Sequence, residues 1–266
     1  MQKIDLTGKK ALVTGGSRGI GAGICRELAK CGADIFINYF NRENEAIELK
    51  KEIQQKYGVQ AGIYKADISK AQEAKDLFDQ MDREIGTLDI LVNNAGTESI
   101  SHVLDLDPHE WDRVVDINLK GPFLCSQQAA HRMSVKAKGV IINITSIHDV
   151  VPRKGLVHYC SAKAGLKMLS KCLSLELADK NIRVVSVAPG AIETEMNREE
   201  IAKFGKHRFE EWIPQGRIGK IADVAPTVAF LASDLAAYIN GADVYIDGSY
   251  MNHTIQYDPR PKKENN

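Results

Sequence analysis

Tyr159 and Lys163 stand four residues apart, and that pair is where residue type and spacing first point to chemistry. In a helix the spacing sets both side chains on one face, one turn apart. A phenol ordinarily loses its proton near pH ~10. A neighbouring ammonium favours the phenolate and lowers that value. A tyrosine placed this way exchanges a proton with a substrate hydroxyl near neutral pH. Ser146 lies upstream, just after the apolar run 140–145. A strand ending there presents the serine hydroxyl at the carboxyl edge of a sheet, where open α/β folds bind ligands. The three residues then read as a serine that orients an oxygen, a tyrosine that moves its proton and a lysine that tunes the tyrosine. Tyr-x-x-x-Lys alone is common by chance, so its meaning depends on the elements that carry it.

Those elements alternate along the chain. Residues 9–14 read as a first strand running into Gly15-Gly-Ser17-Arg18-Gly19-Ile20-Gly21, followed by a helical pattern over 22–30 closed by Gly32. Glycines between a strand and a helix allow a tight turn and close backbone approach, and the helix N-terminus attracts a pyrophosphate. Residues 34–40 form a second strand that ends in Tyr39 and Phe40, where an acid would be expected to hold the ribose of NAD. Arg18 and Arg42 can instead answer a 2′-phosphate, which tilts the expected cofactor towards NADP(H), with NAD(H) as the other choice. A helix over 43–57, a third strand over 62–68 ending near Asp67, a helix over 71–85 and a fourth strand over 88–92 follow. The fourth strand leads into Asn93-Asn94-Ala95-Gly96, small and amide residues suited to a cofactor's approach.

A long helical pattern from Trp111 carries Asn118 in its middle. Asparagine is a poor mid-helix residue, so it marks a local backbone irregularity or a buried polar contact. Beyond Tyr159 the helix continues over 164–177. A sixth strand over 182–187 runs into Pro189-Gly190-Ala191-Ile192, and a helix over 221–232 and a seventh strand over 242–246 complete the pattern. Residues 195–215 are polar and charged and read as a lid, with a plain pair of surface helices as the alternative. The alternation predicts one α/β domain over 1–251, a Rossmann-type doubly wound fold with a seven-stranded parallel sheet covered on both faces. A tail over 252–266 has no core pattern of its own.

Composition limits the function classes. Lys+Arg 35 balances Asp+Glu 35, and a zero net charge argues against nucleic acid or an anionic membrane as partner. No apolar run is long enough to span a bilayer, and the N-terminus shows no signal-peptide core. Five scattered cysteines without metal spacing predict reduced thiols, no metal site and a cytoplasmic protein.

Together these residues resemble the classical short-chain dehydrogenases/reductases over essentially the whole chain. Thr14-Gly15-x-x-x-Gly19-x-Gly21 matches that family's cofactor loop, Asp67 its adenine-side acid, and Asn93-Asn94-Ala95-Gly96 the motif after the fourth strand. Asn118, Ser146, Tyr159 and Lys163 match its catalytic tetrad, and Pro189-Gly190 its loop over the nicotinamide. The resemblance implies that Ser146 bonds the reacting oxygen and that Tyr159 is general base in oxidation and general acid in reduction. It implies that Lys163 lowers the tyrosine pKa and holds the nicotinamide ribose, and that Asn118 holds a relay water. It places the cofactor against Gly15, Ser17, Arg18, Gly19, Ile20 and Gly21, then Tyr39, Asn41 and Arg42, then Asp67 and Ile68. Further contacts are implied from Asn94, Ala95 and Gly96, from Tyr159 and Lys163, and from Pro189, Gly190, Ile192 and Thr194. It also implies a homotetramer.

A narrower similarity is to bacterial glucose 1-dehydrogenases, carried by Asn94-Ala-Gly-x-Glu98, Ser146-x-His148, Val157-His158-Tyr159 and Ile213-Pro214-x-Gly216-x-Ile218-Gly219. It places Glu98, Ser146, His148, Tyr159 and Ala191 against a small alcohol or carbonyl substrate such as a sugar. The chain departs from that group at Arg153-Lys154, Val185 and Ser249. A 3-oxoacyl-carrier-protein reductase, another carbonyl or steroid reductase, and a non-catalytic nucleotide-binding regulator therefore stand as alternatives.

Overall fold

Short apolar runs separated by amphipathic helices give strands that must be buried on both faces. A computed structural model, which describes residues 3–195 and 198–253, builds from them one seven-stranded parallel sheet. The elements are β1 (Lys10–Val13), α1 (Gly19–Lys30), β2 (Asp34–Tyr39), α2 (Glu43–Tyr57), β3 (Ala61–Lys65), α3 (Ala71–Glu84) and β4 (Ile90–Asn93). They continue with α4 (Pro108–Val115), α5 (Gly121–Lys136), β5 (Gly139–Ile144), α6 (Val157–Glu176) and β6 (Ile182–Pro189). Then come α7 (Arg198–Phe204), α8 (Lys206–Trp212), α9 (Ile221–Ala232) and β7 (Asp243–Ile246). The order across the sheet is β3-β2-β1-β4-β5-β6-β7, with every pair parallel.

Alternate residues of each strand feed two cores. Ala11, Val13, Ile35, Ile37, Val92 and Ile142 face α1, α2 and α9, whereas Leu12, Phe36, Leu91, Ile141 and Val184 face α3 and α5. This is the two-sided burial that the near-continuous hydrophobic strands require. The doubly wound fold expected from the alternation is the one observed. The strand order reverses between β1 and β4, and ligands bind outside the carboxyl ends of the strands at such a point.

Three details differ from the sequence pattern. The third strand stops at Lys65, so Asp67 lies in the turn beyond it, where its carboxylate accepts from the Ser69 hydroxyl at 2.7 Å. The long helix through Asn118 is broken into α4, a π-helical turn over Asp116–Lys120, and α5. The segment expected as a lid holds two short helices, α7 and α8. The C-terminal tail from residue 254 lies outside the described residues.

Candidate active site

Six strand ends and the loops that follow them, from β1 to β6, line one cleft of about 820 Å³ on the carboxyl side of the sheet. At its floor the glycine loop leaves β1. Thr14 Oγ1 accepts from the backbone N–H groups of Asn94 and Ala95 at 3.0 and 3.1 Å. Asn94 Nδ2 in turn donates to the carbonyls of Thr14 and Gly15 at 3.0 and 3.1 Å. Asn38, the penultimate residue of β2, accepts from Gly15 N–H at 3.2 Å. Three strands thereby fix one loop. A Cβ at Gly21 would lie 2.4 Å from the Gly15 carbonyl, so the helix could not start this close to the loop with any other residue. Gly19 has φ +54 and nothing nearer than 4.0 Å to its notional Cβ, so its bare backbone borders the cleft at the start of α1. A loop stripped of side chains at a helix N-terminus suits the pyrophosphate of a dinucleotide.

Beyond the ends of β2 and β3, Tyr39, Asn41, Asp67 and Ile68 line the cleft. The Tyr39 hydroxyl donates to Glu43 at 3.0 Å. Arg18 reaches the cleft and pairs with Glu195 at 3.1 Å, both side chains being well exposed. Arg42 pairs with Glu45 at 3.3 Å and does not line the cleft.

The reacting end is built from β5, α6 and the π-helical turn. Ser146 follows β5, and its Oγ accepts from the His148 N–H at 3.2 Å. Ser146 also lowers the Tyr159 phenol, against the burial that raises it. Tyr159 and Lys163 face the cleft from the first turns of α6 and are both buried. Lys163 Nζ donates to the Ile144 carbonyl at 2.9 Å and stands 5.6 Å from the centroid of the tyrosine ring. Asn118 is fully buried in the π-helical turn. Its Nδ2 donates to the carbonyls of Thr97 and Val114 at 2.7 and 2.9 Å. A Cβ on Gly96 would fall 2.9 Å from Asn118 Oδ1 and 3.6 Å from Lys163 Nζ. Asn118 and Lys163 therefore converge on Gly96, and Asn118 Oδ1 is a buried acceptor that no protein group occupies, suited to an ordered water. Both readings of the misplaced asparagine hold at once: the backbone is irregular there and the amide is buried.

The electrostatics correct one expectation. Lys163 was expected to lower the Tyr159 phenol, but burial first and the Glu98 carboxylate second push that phenol well up, and the Ser146 hydrogen bond opposes them. Burial also pushes the Lys163 ammonium down, to about 8. An ammonium that is itself desolvated, and whose proton points at a carbonyl, is a weak counterweight to desolvation of its neighbour.

Glu98, His148 and Ala191, the residues expected to meet a substrate, line the same cleft, with Arg113, Arg153, Phe209, Trp212 and Tyr250. His148 Nδ1 lies 2.9 Å from the Val151 carbonyl, an acceptor, so that nitrogen carries a proton. Its ring meets Tyr159 edge-on at 6.4 Å. Every predicted cofactor and substrate residue except Arg42 lines the cleft, including Ser17, Ile20, Ala95, Pro189, Gly190, Ile192 and Thr194. Asn118 stands behind the lining. The sequence reading missed Asn38 as a loop anchor and the wall of Phe209, Trp212 and Tyr250. Asn38 carried a faint signal, an amide inside an apolar strand. Among the described residues, no group of three or more His, Cys, Asp or Glu side chains could hold a metal ion.

Comparison with known proteins agrees with this geometry. A family model described as enoyl-(acyl carrier protein) reductase matches residues 15–251. A 3beta-hydroxysteroid dehydrogenase 1 of Eggerthella lenta is 40% identical over 92% of this chain and 94% of its own. Glucose 1-dehydrogenase 2 of Bacillus subtilis is 38% identical over 92% of this chain and 95% of its own. The crystal structure of a gluconate 5-dehydrogenase from Burkholderia cenocepacia J2315, solved with NADP and tartrate, superposes with a TM-score of 0.88. It is 32% identical and covers 94% of this chain and 97% of its own.

Proposed function

The chain belongs to the short-chain dehydrogenase/reductase family of NAD(P)-binding oxidoreductases, and on that premise we propose that it interconverts a secondary alcohol and a carbonyl at the Tyr159–Lys163–Ser146 centre. The observation that carries the reading is convergence. A buried phenol, a serine hydroxyl and an ammonium 5.6 Å from the phenol ring line one cleft with a glycine loop at a helix N-terminus.

A nicotinamide bound along that cleft supplies the hydride chemistry. The residues that would hold it are the backbone of Gly15–Gly21, Tyr39 and Asn41, Asp67 and Ile68, Asn94–Gly96, Lys163, and the Pro189–Thr194 segment. In oxidation, the Ser146 hydroxyl orients the substrate oxygen and Tyr159 accepts its proton; in reduction the same phenol donates it. Lys163 holds the ribose side of the site. Asn118, with its free Oδ1 turned towards Gly96 and Lys163, keeps a water in line for proton exchange with solvent. NADP(H) is the favoured cofactor because β2 ends in Tyr39 and Phe40 rather than an acid, and Arg18 stands at the mouth of the loop. The protein acts in the cytoplasm as a homotetramer. Phe123 on α5 and Met168 and Leu175 on α6 are exposed apolar side chains suited to such packing, and sedimentation reads the assembly directly.

For the substrate, the polar pair Glu98 and His148 beside Tyr159 favours a polyhydroxylated molecule, an aldose or polyol. One feature supports a second reading. Phe209, Trp212 and Tyr250 form an apolar wall in the same cleft, which also suits a flat cyclic alcohol such as a steroid. A third candidate is a 3-oxoacyl thioester on an acidic carrier, with Arg153 and Lys154 as its docking cations. A kinetic screen of aldoses, polyols, hydroxysteroids and 3-oxoacyl thioesters against NADP(H) and NAD(H) separates these. Turnover of an aldose or polyol is the expected result. Turnover only of 3-oxoacyl thioesters rejects the sugar reading, and NADPH binding without turnover of any substrate favours a nucleotide-binding regulator.

A further inference from the structure

A second charged cluster lies directly behind the reacting residues, on the side away from the cleft. Ser146 opens a short 3₁₀ turn over Ile147–Asp149, and the Asp149 N–H closes it by donating to the Ser146 carbonyl at 2.9 Å. The Asp149 carboxylate has no exposed surface. Its Oδ1 accepts the Tyr245 hydroxyl from β7 at 2.9 Å, and Lys167 Nζ from α6 stands 3.7 Å away. Lys167 donates to the Tyr245 oxygen at 2.7 Å. Asp149 Oδ2 has no hydrogen-bond partner. On β7, Asp243 lies 3.8 Å from Lys167 and 3.2 Å from Lys171.

A packed fold does not need this arrangement. Replacing buried ion pairs by apolar residues of similar volume is often neutral or stabilising, so a carboxylate enclosed on every side calls for another explanation. Two things follow from its placement. Its bolt to Tyr245 fixes the turn that carries both the Ser146 hydroxyl and the His148 ring. Its charge is only partly neutralised, because its partner Lys167, one turn of α6 from Lys163, is shared with Asp243.

We propose that Asp149 is a positioning residue that fixes the Ser146–His148 turn and, as a buried negative charge at its end, sets the pH range over which the Tyr159–Lys163 pair works. The proposal rests on the reading of Tyr159 and Lys163 as the proton-exchanging pair. Among the charges acting on Lys163, Asp149 comes first and Glu98 second in opposing the loss of its proton to burial. On Tyr159, the groups that oppose ionisation besides burial are Glu98, Cys160 and Asp149, while the Ser146 hydrogen bond favours it. Asp149 itself is pushed up by burial and by Asp243, and pulled down by Tyr245, Thr145 and Lys167.

Asp149→Asn keeps the shape and the acceptor for Tyr245 but removes the charge. Without that negative field both Tyr159 and Lys163 release their protons more readily. Both limbs of the pH–rate profile of wild-type cofactor reduction are therefore expected to move to lower pH, by about one unit. A purely structural role would lower kcat or raise KM and leave both midpoints in place, and that result overturns the proposal, as does an unchanged enzyme. A readout without turnover accompanies it: spectrophotometric titration of phenolate in Asp149→Asn and in the wild type, each against its Tyr159→Phe counterpart. Earlier ionisation of Tyr159 in Asp149→Asn supports the proposal even if no substrate is found, and coincident titrations refute it. Should Asp149→Asn not accumulate as folded protein, Asp149→Ser, also neutral and able to accept from Tyr245, is read by the same two measurements.

Discussion

Arg18 shows how much a single side chain decides at this site. It lines the cleft and is paired with Glu195 at 3.1 Å, and the proposed NADP(H) preference has it meet the 2′-phosphate. Exposed pairs of this kind are weak, so a phosphate with two charge-assisted hydrogen bonds displaces the carboxylate. Arg18→Ala is expected to raise the KM for NADPH about tenfold while leaving that for NADH almost unchanged. Glu195→Gln removes the competitor and should lower the NADPH value about threefold. Steady-state kinetics with both cofactors reads the two effects, and equal changes for NADH and NADPH would remove Arg18 from 2′-phosphate recognition. Arg42 was an equal candidate by position along the chain. In three dimensions it turns to Glu45 on its own helix, a choice that i,i+3 geometry makes and that linear order does not reveal.

Among the elements, β4 and β5 carry a polar chain through the middle of the molecule. Asn93 Nδ2 donates to Asn143 Oδ1 at 2.8 Å and to Ser126 Oγ at 3.0 Å, and Asn143 Nδ2 donates to Ser170 Oγ at 2.8 Å. The chain fastens β4 and β5 to α5 and α6, the helix that presents Tyr159 and Lys163. Asn93→Ala is expected to destabilise the fold by about 2–4 kcal/mol, because it leaves buried partners unpaired. Denaturant unfolding measures it, and a loss below about 0.5 kcal/mol would contradict the account. The adjacent amides Asn93 and Asn94 look equivalent in the sequence. Successive strand residues face opposite sides, so one became a core anchor and the other a support for the glycine loop. The sheet, its seven strands and the meeting of Ser146, Tyr159 and Lys163 in one cleft could be read from local periodicity and motif spacing, as could the irregularity at Asn118. The aromatic wall of Phe209, Trp212 and Tyr250 could not, since it forms only when α8 folds over the carboxyl edge of β6 and β7. The sign of the Tyr159 shift was illegible for a related reason: spacing along a helix places Lys163 beside the phenol but says nothing of how deeply both are buried.

For the molecule as a whole, the site imposes a stability penalty that follows pH. Burial lowers Lys163 from 10.5 to about 8 in the folded state. The unfolded chain therefore binds the extra proton, and stability falls as pH drops through 8 and is regained towards 10.5. Such a shift corresponds to about 3 kcal/mol near neutrality. Lys163→Met should then lose activity at least about a hundredfold yet unfold at a higher temperature at pH 7. The stability difference should close above pH ~11.5, where lysine is neutral in both states. Thermal unfolding of both proteins across pH tests this, and a Lys163→Met variant less stable than the wild type at pH 7 would contradict it. A parallel sheet anchored by two large cores has the reserve to carry this load at its carboxyl edge, which is where open α/β folds place their chemistry.

The most direct measurement of the central claim compares Tyr159→Phe with the wild type in single-turnover cofactor reduction, using whichever alcohol the substrate screen identifies and with NADPH binding measured on both proteins. The account predicts intact cofactor binding with turnover lowered about a thousandfold, the loss of one positioned proton-transfer group. Undiminished turnover by the phenylalanine variant would contradict it.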